Sequence, residues 1–216
     1  MGAEKNVRPI AKKPVIIGAS IAAVAVIAVV AAILLNLNRI TAISIRIQRL
    51  VGTVNLYDEK GKEKSMIEKM RLNSGHSLKT AVESLVMVSL DESRLLTLEE
   101  ASQAKIKAKG KQLEFNLTSG SLFFNVNEKL EDDETFDIRT STMVCGIRGT
   151  SAFIGKDSKG HETVMVTDGT VHVVAENPRT HEITEVDVNA GEMITIYLDE
   201  EAEGDATISI KKENFR

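Results

Sequence analysis

Three histidines, His161, His172 and His181, lie within a stretch of 21 residues and could be considered as metal ligands. Histidine pairs that bind a metal usually stand two residues apart on a strand or four apart on a helix, because that spacing points both rings to one side. None of these three histidines is so spaced. The sequence therefore predicts no metal site and no cofactor.

Nucleophilic catalysis would need an activated serine or cysteine. The sequence contains no G-x-S-x-G turn of the kind that strains a serine into a reactive position. Its single cysteine, Cys145, stands between Val144 and the segment from Gly146 to Gly149, which favours a small buried hydrophobic side chain over a reactive thiol. One cysteine also excludes an intrachain disulfide. We therefore expect a protein that is not an enzyme.

Two acidic runs, residues 131–134 and 199–205, could offer carboxylate oxygens to calcium. Both lack the D-x-[DN]-x-[DN]-G spacing that makes such a site specific. They are interpreted as solvated loops, and calcium binding is left open.

The segment Arg148-Gly149-Thr150 has a structural and a functional interpretation. Gly149 permits a positive φ or a close approach between strands, and Thr150 suits the start of a strand. Arg148 could form a surface ion pair, or it could contact an anionic group or a partner.

Charge and composition limit the classes of partner. The chain has a formal charge of −4, but residues 1–13 carry four basic groups and one acid, which leaves −7 for the remainder. The chain has no Trp and only two Tyr and six Phe. Both features disfavour nucleic acids, and the scarce aromatics also disfavour stacking on sugars.

Residues 14–35 form an uncharged run of 22 residues. As a helix rising about 1.5 Å per residue, this run would cross the ~30 Å core of a bilayer. The basic residues Lys5, Arg8, Lys12 and Lys13 before it predict a cytoplasmic N-terminus. A cleaved signal peptide is the alternative, but the run exceeds the usual 7–15 apolar residues and lacks an A-x-A site.

Beyond the apolar run, short segments of alternating polar and apolar residues predict strands. They are residues 43–48, 54–56, 114–117 and 186–188. Turn residues separate them, as at Asn73-Ser74-Gly75 and Asp168-Gly169, so many short strands are expected rather than βαβ units. Residues 91–109 could be a helix or two strands around Glu99-Glu100, and strands are favoured.

A loose echo recurs three times, as Gly52-Thr53-Val54, Gly120-Ser121-Leu122 and Gly169-Thr170-Val171. In each copy a glycine and a hydroxyl residue precede an apolar strand position. The echo suits a chain that winds successive strand layers on one another, although Gly-Thr-Val is also a common way for strands to begin.

The order of these elements resembles the extracytoplasmic domain of the FecR family, the iron-dicitrate regulator family of bacterial envelope proteins. The resemblance covers about residues 49–198, and its most specific element is Val144 to Phe153, which contains Arg148, Gly149 and Thr150. The other matching segments are Gly52-Thr53-Val54, residues 73–80, 85–91, 117–126, 136–140 and 166–173, and Gly191-Glu192. The resemblance implies an all-β, twisted, solenoid-like domain.

Five regions are therefore expected. They are a basic cytoplasmic tail (1–13), a transmembrane helix (14–35), a juxtamembrane segment with the first strand (36–48), the FecR-like extracytoplasmic β domain (49–198) and an acidic C-terminal extension (199–216). FecR-like regulators hold a sigma factor with a cytoplasmic helical domain, and 13 residues are too few to fold into one. The family's regulatory mechanism is thus not carried over with its domain.

The function expected from the sequence is a membrane-anchored, non-enzymatic binding module of the bacterial cell envelope, with an envelope protein as partner. Arg148 is the candidate contact with that partner or with an anion. Gly52, Gly120, Gly149, Thr150, Gly169 and Gly191 are expected to be structural. The alternatives are a sensor or signalling subunit that acts with another membrane protein, and a module that binds cell-wall polymer.

Overall fold

A computed structural model describes residues 44–90, 93–200 and 206–215, and the predicted tail and membrane span lie outside these ranges. The described residues form sixteen strands and no helix, so the all-β prediction is confirmed. No apolar helix of membrane-spanning length occurs in this part of the chain. The strands are β1 (Arg46–Val51), β2 (Val54–Tyr57), β3 (Glu63–Lys64), β4 (Ser77–Thr80), β5 (Leu85–Ser89), β6 (Arg94–Leu98), β7 (Gln103–Lys109), β8 (Gln112–Val126), β9 (Thr135–Arg139), β10 (Met143–Gly146), β11 (Ser151–Lys156), β12 (Glu162–Asp168), β13 (Thr170–Glu176), β14 (Ile183–Asn189), β15 (Glu192–Glu200) and β16 (Ala206–Asn214).

The strands form two sheets that share β8. Sheet A has the order β1-β5-β6-β8-β11-β12-β15-β16, and sheet B has the order β3-β2-β4-β7-β8-β9-β10-β13-β14. All pairs are antiparallel except β8 with β9. The ambiguous segment forms β6 and β7, so the strand interpretation is confirmed for its described residues.

The core lies between the two sheets and follows from the period-two pattern. Alternate residues of β8 are buried in the core. They are Leu113, Phe115 and Leu117 in the half that belongs to sheet B, and Leu122 and Phe124 in the half that belongs to sheet A. The ring of Phe136 on β9 contacts two phenylalanines of β8 edge to face, at centroid distances of 6.1 Å from Phe115 and 6.0 Å from Phe124. One aromatic cluster thus joins both halves of β8.

The three glycines of the echo mark corners at which the chain passes from one sheet to the other. Gly52 lies between β1 and β2, Gly120 within β8, and Gly169 between β12 and β13, with φ of +70°, +76° and +76°. Non-glycine residues rarely adopt these angles, because their Cβ collides with the backbone. The echo is therefore a set of sheet-crossing corners.

A hydroxyl residue packs tightly against each corner glycine. A Cβ added at Gly120 would crowd Ser102 Oγ and lie 2.5 Å from Ser102 Cα, and one added at Gly169 would lie 2.6 Å from Thr150 Cγ2. At the other corner a Cβ on Gly52 would lie 2.9 Å from Ser84 Cβ. Ser84 and Ser102 also accept backbone hydrogen bonds, of 2.9 Å from Thr53 N and 2.8 Å from Ser121 N.

A fully buried carboxylate ties the two sheets together at one end of β12. Glu162 is 0% exposed and accepts hydrogen bonds from three hydroxyls of the β9–β10 turn: Thr140, Ser141 at 2.8 Å and Thr142 at 2.6 Å. Lys156 Nζ lies 3.4 Å from the same carboxylate and donates to Ser141. Because the hydroxyls belong to sheet B and the carboxylate to sheet A, the cluster fixes the position of one sheet on the other.

We expect Gly120→Ala to lower the free energy of unfolding by about 2–4 kcal/mol, because it combines an unfavourable φ with overpacking against Ser102. Gly110→Ala is the matched control. Gly110 has φ +61° but open space around its Cβ position, so the loss should be about 1 kcal/mol. Urea denaturation measures the free energy of unfolding of both variants. Equal losses of stability in the two variants would contradict the crowding at the Gly120 corner.

We expect Glu162→Ala to cost about 3–5 kcal/mol, since it leaves two buried hydroxyls, Ser141 and Lys156 without their carboxylate. Glu128→Ala, at an exposed position, should change stability by no more than about 0.5 kcal/mol. The same denaturation measurement applies. A Glu162→Ala chain as stable as the Glu128→Ala chain would show that the cluster does not hold the sheets together.

Candidate functional site

A row of mostly charged side chains crosses the outer face of sheet B. The strand register aligns one residue from each of six adjacent strands, in the order Lys107, Glu114, Asp137, Gly146, His172 and Asp187. The residues on either side of Asp137, Phe136 and Ile138, are buried in the core, so Asp137 points outward. The row is thus a solvent-facing feature with a single glycine near its centre.

Gly146 leaves a gap in this row that the backbone does not require. A Cβ at this position would have its nearest neighbours at 3.8 Å, Asp137 Oδ1, and 3.9 Å, the His172 carbonyl oxygen. Gly146 is also absent from the glycines with positive φ. A glycine in a strand interior weakens the strand, and it often marks a place where a ligand or another backbone approaches closely.

The gap opens into a groove of about 690 Å³. Its floor includes Phe136, Asp137 and Gly146, and its walls come from the loop after β10 and the corner before β13, with Arg148, Gly149, Gly169 and Thr170. A second groove of about 680 Å³ shares Leu130 and Glu134 with the first. The fold thus brings the β10–β11 loop and the β12–β13 corner to one concave surface.

The two acids on one side of the groove, Asp137 and Glu114, have pKa values shifted in opposite directions. Burial raises the pKa of Asp137, and repulsion from Glu114 adds to it, while Arg139 partly offsets both. For Glu114, burial also acts to raise the pKa, but hydrogen bonds from Lys107 (2.8 Å) and Arg139 (3.0 Å) outweigh it and lower the pKa. Asp137 would therefore gain from a positive partner, whereas Glu114 already has two.

Two other ionisable residues of the groove, His172 and Glu134, have polar partners. His172 Nδ1 lies 2.8 Å from Asp187, and its Nε2 lies 3.7 Å from Glu185. Arg94 holds Glu134 with two contacts of 3.2 and 3.3 Å. Arg148 stands exposed on the rim. The groove therefore offers a half-buried acid on its floor and a guanidinium at its edge.

The predicted site residues fall into two groups. Arg148, Gly149 and Gly169 line the groove, and Gly149 has the positive φ, +79°, that its sequence context suggested. Thr150 follows directly and is 1% exposed. Gly52 and Gly120 occupy corners elsewhere, and Gly191 (φ +88°) lies in the turn between β14 and β15.

Cys145 is buried, as predicted, and its Sγ lies 3.8 Å from Met143 Sδ. Burial raises the pKa of its thiol, and the nearby carboxylates of Glu162 and Asp137 raise it further. A thiol held in its neutral form is a poor nucleophile.

The histidines do not come together. His161 pairs with Asp157 at 2.9 Å and His181 with Glu176 at 2.8 Å. Within the described ranges, no three His, Cys, Asp or Glu side chains are placed to hold a metal ion.

The sequence did not identify the groove residues Asp137, Gly146 and His172 as site residues. The signal available was Gly146 itself, an unexplained glycine among strand-forming residues. Its neighbours Asp137 and His172 could not be assigned, because they reach it only through the pairing of three strands.

We expect Asp137→Asn to stabilise the protein at pH 7, because the pKa of this acid is raised on folding from its ordinary value of 3.8. The folded state then binds this proton more tightly than the unfolded state. The free energy of unfolding therefore falls as the pH rises from the ordinary pKa of 3.8 through the raised pKa of the folded state. The gain should stay below about 1 kcal/mol, since solvent screens a half-buried group.

At pH 3 most of the gain should be lost, because the carboxyl is then mostly neutral in both states. Asp132→Asn, at an exposed position, is the control and should show no such dependence. Urea midpoints at the two pH values give the comparison. Destabilisation by Asp137→Asn at pH 7 would contradict the cost assigned to this acid.

The chain was compared with known proteins. Two crystal structures, at 1.65 and 2.50 Å, of a Parabacteroides distasonis protein assigned as an anti-sigma factor are similar to it. Each has a TM-score of 0.49 and 18% sequence identity, and the match covers 64% of this chain and 59% of the solved chain. The match thus spans less than two thirds of that protein's length. No curated protein matches the chain.

A family match was found for the middle of the chain. Residues 76–172 match the family described as FecR protein. These residues run from His76, directly before β4, to His172 in β13, and they include Asp137, Gly146 and the Arg148-Gly149-Thr150 segment. The resemblance to the FecR family is therefore confirmed over residues 76–172, and this range contains all the residues that line the groove.

Proposed function

We propose that this chain is a non-enzymatic binding protein of the bacterial cell envelope, whose FecR domain recognises a partner protein. In this proposal residues 14–35 anchor the chain in the membrane and the β domain lies outside the cytoplasm. The observation that carries the proposal is the gap at Gly146 in the middle of a charged row. In this proposal, the repeated passage of the chain from one sheet to the other is the twisted, solenoid-like fold expected of a FecR domain.

The chemistry of the groove favours a basic or amide-rich protein segment. Asp137 lies on the floor at a cost in solvation that a positive or hydrogen-bond-donating group would relieve. Without a side chain at Gly146, a backbone can approach the floor closely. Arg148 on the rim can donate hydrogen bonds to a carbonyl or carboxylate of the same segment. The groove therefore suits a peptide better than a small rigid ligand.

The net charge of the chain also favours a protein partner over an anionic envelope polymer. The chain beyond residue 13 carries −7, which repels anionic wall polymers. The FecR match favours a second, narrower function, that of a signalling subunit acting with another membrane protein, because FecR-like proteins are regulators. The two functions differ in the partner, which is either an envelope protein at large or a component of a signalling pathway.

The proposal predicts that a photoreactive amino acid at Arg148, on the rim of the groove, cross-links a specific envelope protein in intact cells. The same amino acid at Ser158, in the exposed β11–β12 turn, serves as the control and should not capture that protein. Mass spectrometry identifies the captured protein. Retention of the purified protein on isolated cell wall, with no captured protein, would instead support the polymer-binding alternative.

Gly146→Val should reduce this capture at least about tenfold while leaving the protein folded, since a Cβ at this position meets no atom closer than 3.8 Å and valine favours strands. Val144→Ala, two residues earlier on the same strand face, should leave capture unchanged. Unchanged capture by the Gly146→Val chain would show that the partner does not use this groove.

A further inference from the structure

The outer face of sheet A carries a row of apolar side chains that the proposed function does not use. The register of eight adjacent strands aligns, from β1 to β16, Arg49, Met87, Thr97, Phe123, Phe153, Met165, Met193 and Glu213. Five of the eight are Met or Phe. The corresponding row on sheet B contains no large apolar residue, so the two outer faces of the domain differ in character.

The apolar residues of this row point away from the core. Four of them lie between two buried residues of their own strand, as Phe123 lies between Leu122 and Phe124, and Phe153 between Ala152 and Ile154. Met193 precedes the buried Ile194. All five are partly exposed. A contiguous apolar surface rimmed by polar residues marks an interaction site, whereas isolated exposed apolar residues do not.

The face is also flat at its centre. Gly155 lies beside Phe153 on the outer side of β11, and a Cβ there would lie 2.8 Å from the Phe153 ring. The absence of a side chain at Gly155 thus lets the ring lie along the sheet. The neighbouring positions Ser121, Thr163 and Thr195 carry small side chains. A flat apolar centre with small neighbours is suited to stacking against another sheet.

The order of residues in the row is self-complementary. A two-fold axis parallel to the strands, between β8 and β11, would bring a second row in reverse order over the first. Phe123 then faces Phe153, Thr97 faces Met165, Met87 faces Met193, and Arg49 faces Glu213. Apolar residues meet apolar or methyl-bearing residues, and the two ends bring opposite charges together.

From this complementarity we infer that the outer face of sheet A binds the same face of a second copy of this chain, as an isologous dimer. Stacked sheets lie about 10 Å apart, and eight strands spaced about 4.8 Å extend about 34 Å. With three rows of side chains in contact, the interface would bury about 1,400 Å² in total, within the range of specific interfaces. Twist between the sheets would reduce contact most at the two ends.

The charges at the ends of the row favour a second copy over an unrelated partner. Glu213 already contacts Lys211 of its own chain at 2.7 Å, and in the dimer Arg49 of the second copy would approach the same carboxylate. Pairing leaves sheet B of each copy facing outward, so both grooves stay accessible. A dimer would then offer two grooves to partner proteins, which raises the avidity for a partner with two binding segments.

Cross-linking between two different positions tests this arrangement in the full chain. Arg49→Cys and Glu213→Cys are made separately in a Cys145→Ala background, and the two chains are mixed and treated with a short bismaleimide. The mixture should give a covalent dimer, because the two positions face each other across the interface. Each chain alone should give at most about a tenth of that yield, since like positions would lie about 34 Å apart.

Charge reversal provides an independent readout that does not disturb the apolar centre. Arg49→Glu or Glu213→Arg alone should weaken self-association about tenfold, and the two substitutions together should restore it. Energy transfer between full chains in detergent, labelled through Ser158→Cys in the same background, measures the association. Phe153→Asp should weaken it about a hundredfold or more.

The outcomes separate this dimer from other uses of the face. The two-fold arrangement would be overturned if each single-cysteine chain alone gave as much covalent dimer as the mixture. It would also be overturned if the double charge reversal did not restore self-association. A monomeric chain that binds lipid vesicles through Phe153 would likewise overturn it, in favour of a membrane-facing surface. The groove variant Gly146→Val should associate normally, which keeps failure here distinct from failure of the proposed function.

Discussion

The membership of one continuous strand in both sheets is the constraint on which the rest of this structure depends. The first half of β8 pairs with β7 and β9, and its second half pairs with β6 and β11. The bend between them needs the positive φ of Gly120 and the close packing of Ser102. Because the chain is continuous, the register of one sheet fixes the register of the other, and Phe136 packs against rings on both sides of the bend.

Two outer faces of opposite character follow from that arrangement. Each strand contributes alternate residues to the common core, so the remaining residues must face solvent or a partner. On sheet B these residues form ion pairs, such as Glu114 with Lys107 and Arg139. On sheet A they include five methionines and phenylalanines in one row. The same folding rule therefore produces one surface suited to charged segments and another suited to apolar contact.

The groove contains features that folding alone does not favour. Gly146 weakens a strand without being required by its φ, and Asp137 keeps a carboxyl where its ionised form is disfavoured. Proteins commonly retain such residues where binding needs them, at some expense of stability. Elsewhere in the domain the buried polar residues serve the fold: Glu162 is satisfied by three hydroxyls, and Ser84 and Ser102 support the corners.

The sequence by itself determined the all-β class, the main turns, the buried state of Cys145 and the FecR resemblance, because alternation and turn glycines are local properties. It could not determine which residues meet across strands. Asp137, Gly146 and His172 come from three strands, and the row from Arg49 to Glu213 from eight. That alignment is set by register, which depends on long-range packing, on the bend at Gly120 and on bulges such as those beside Arg49 and Ser151. A shift of one residue would move every side chain of a strand to the opposite face, so only the tertiary structure decided where the groove and the apolar row lie.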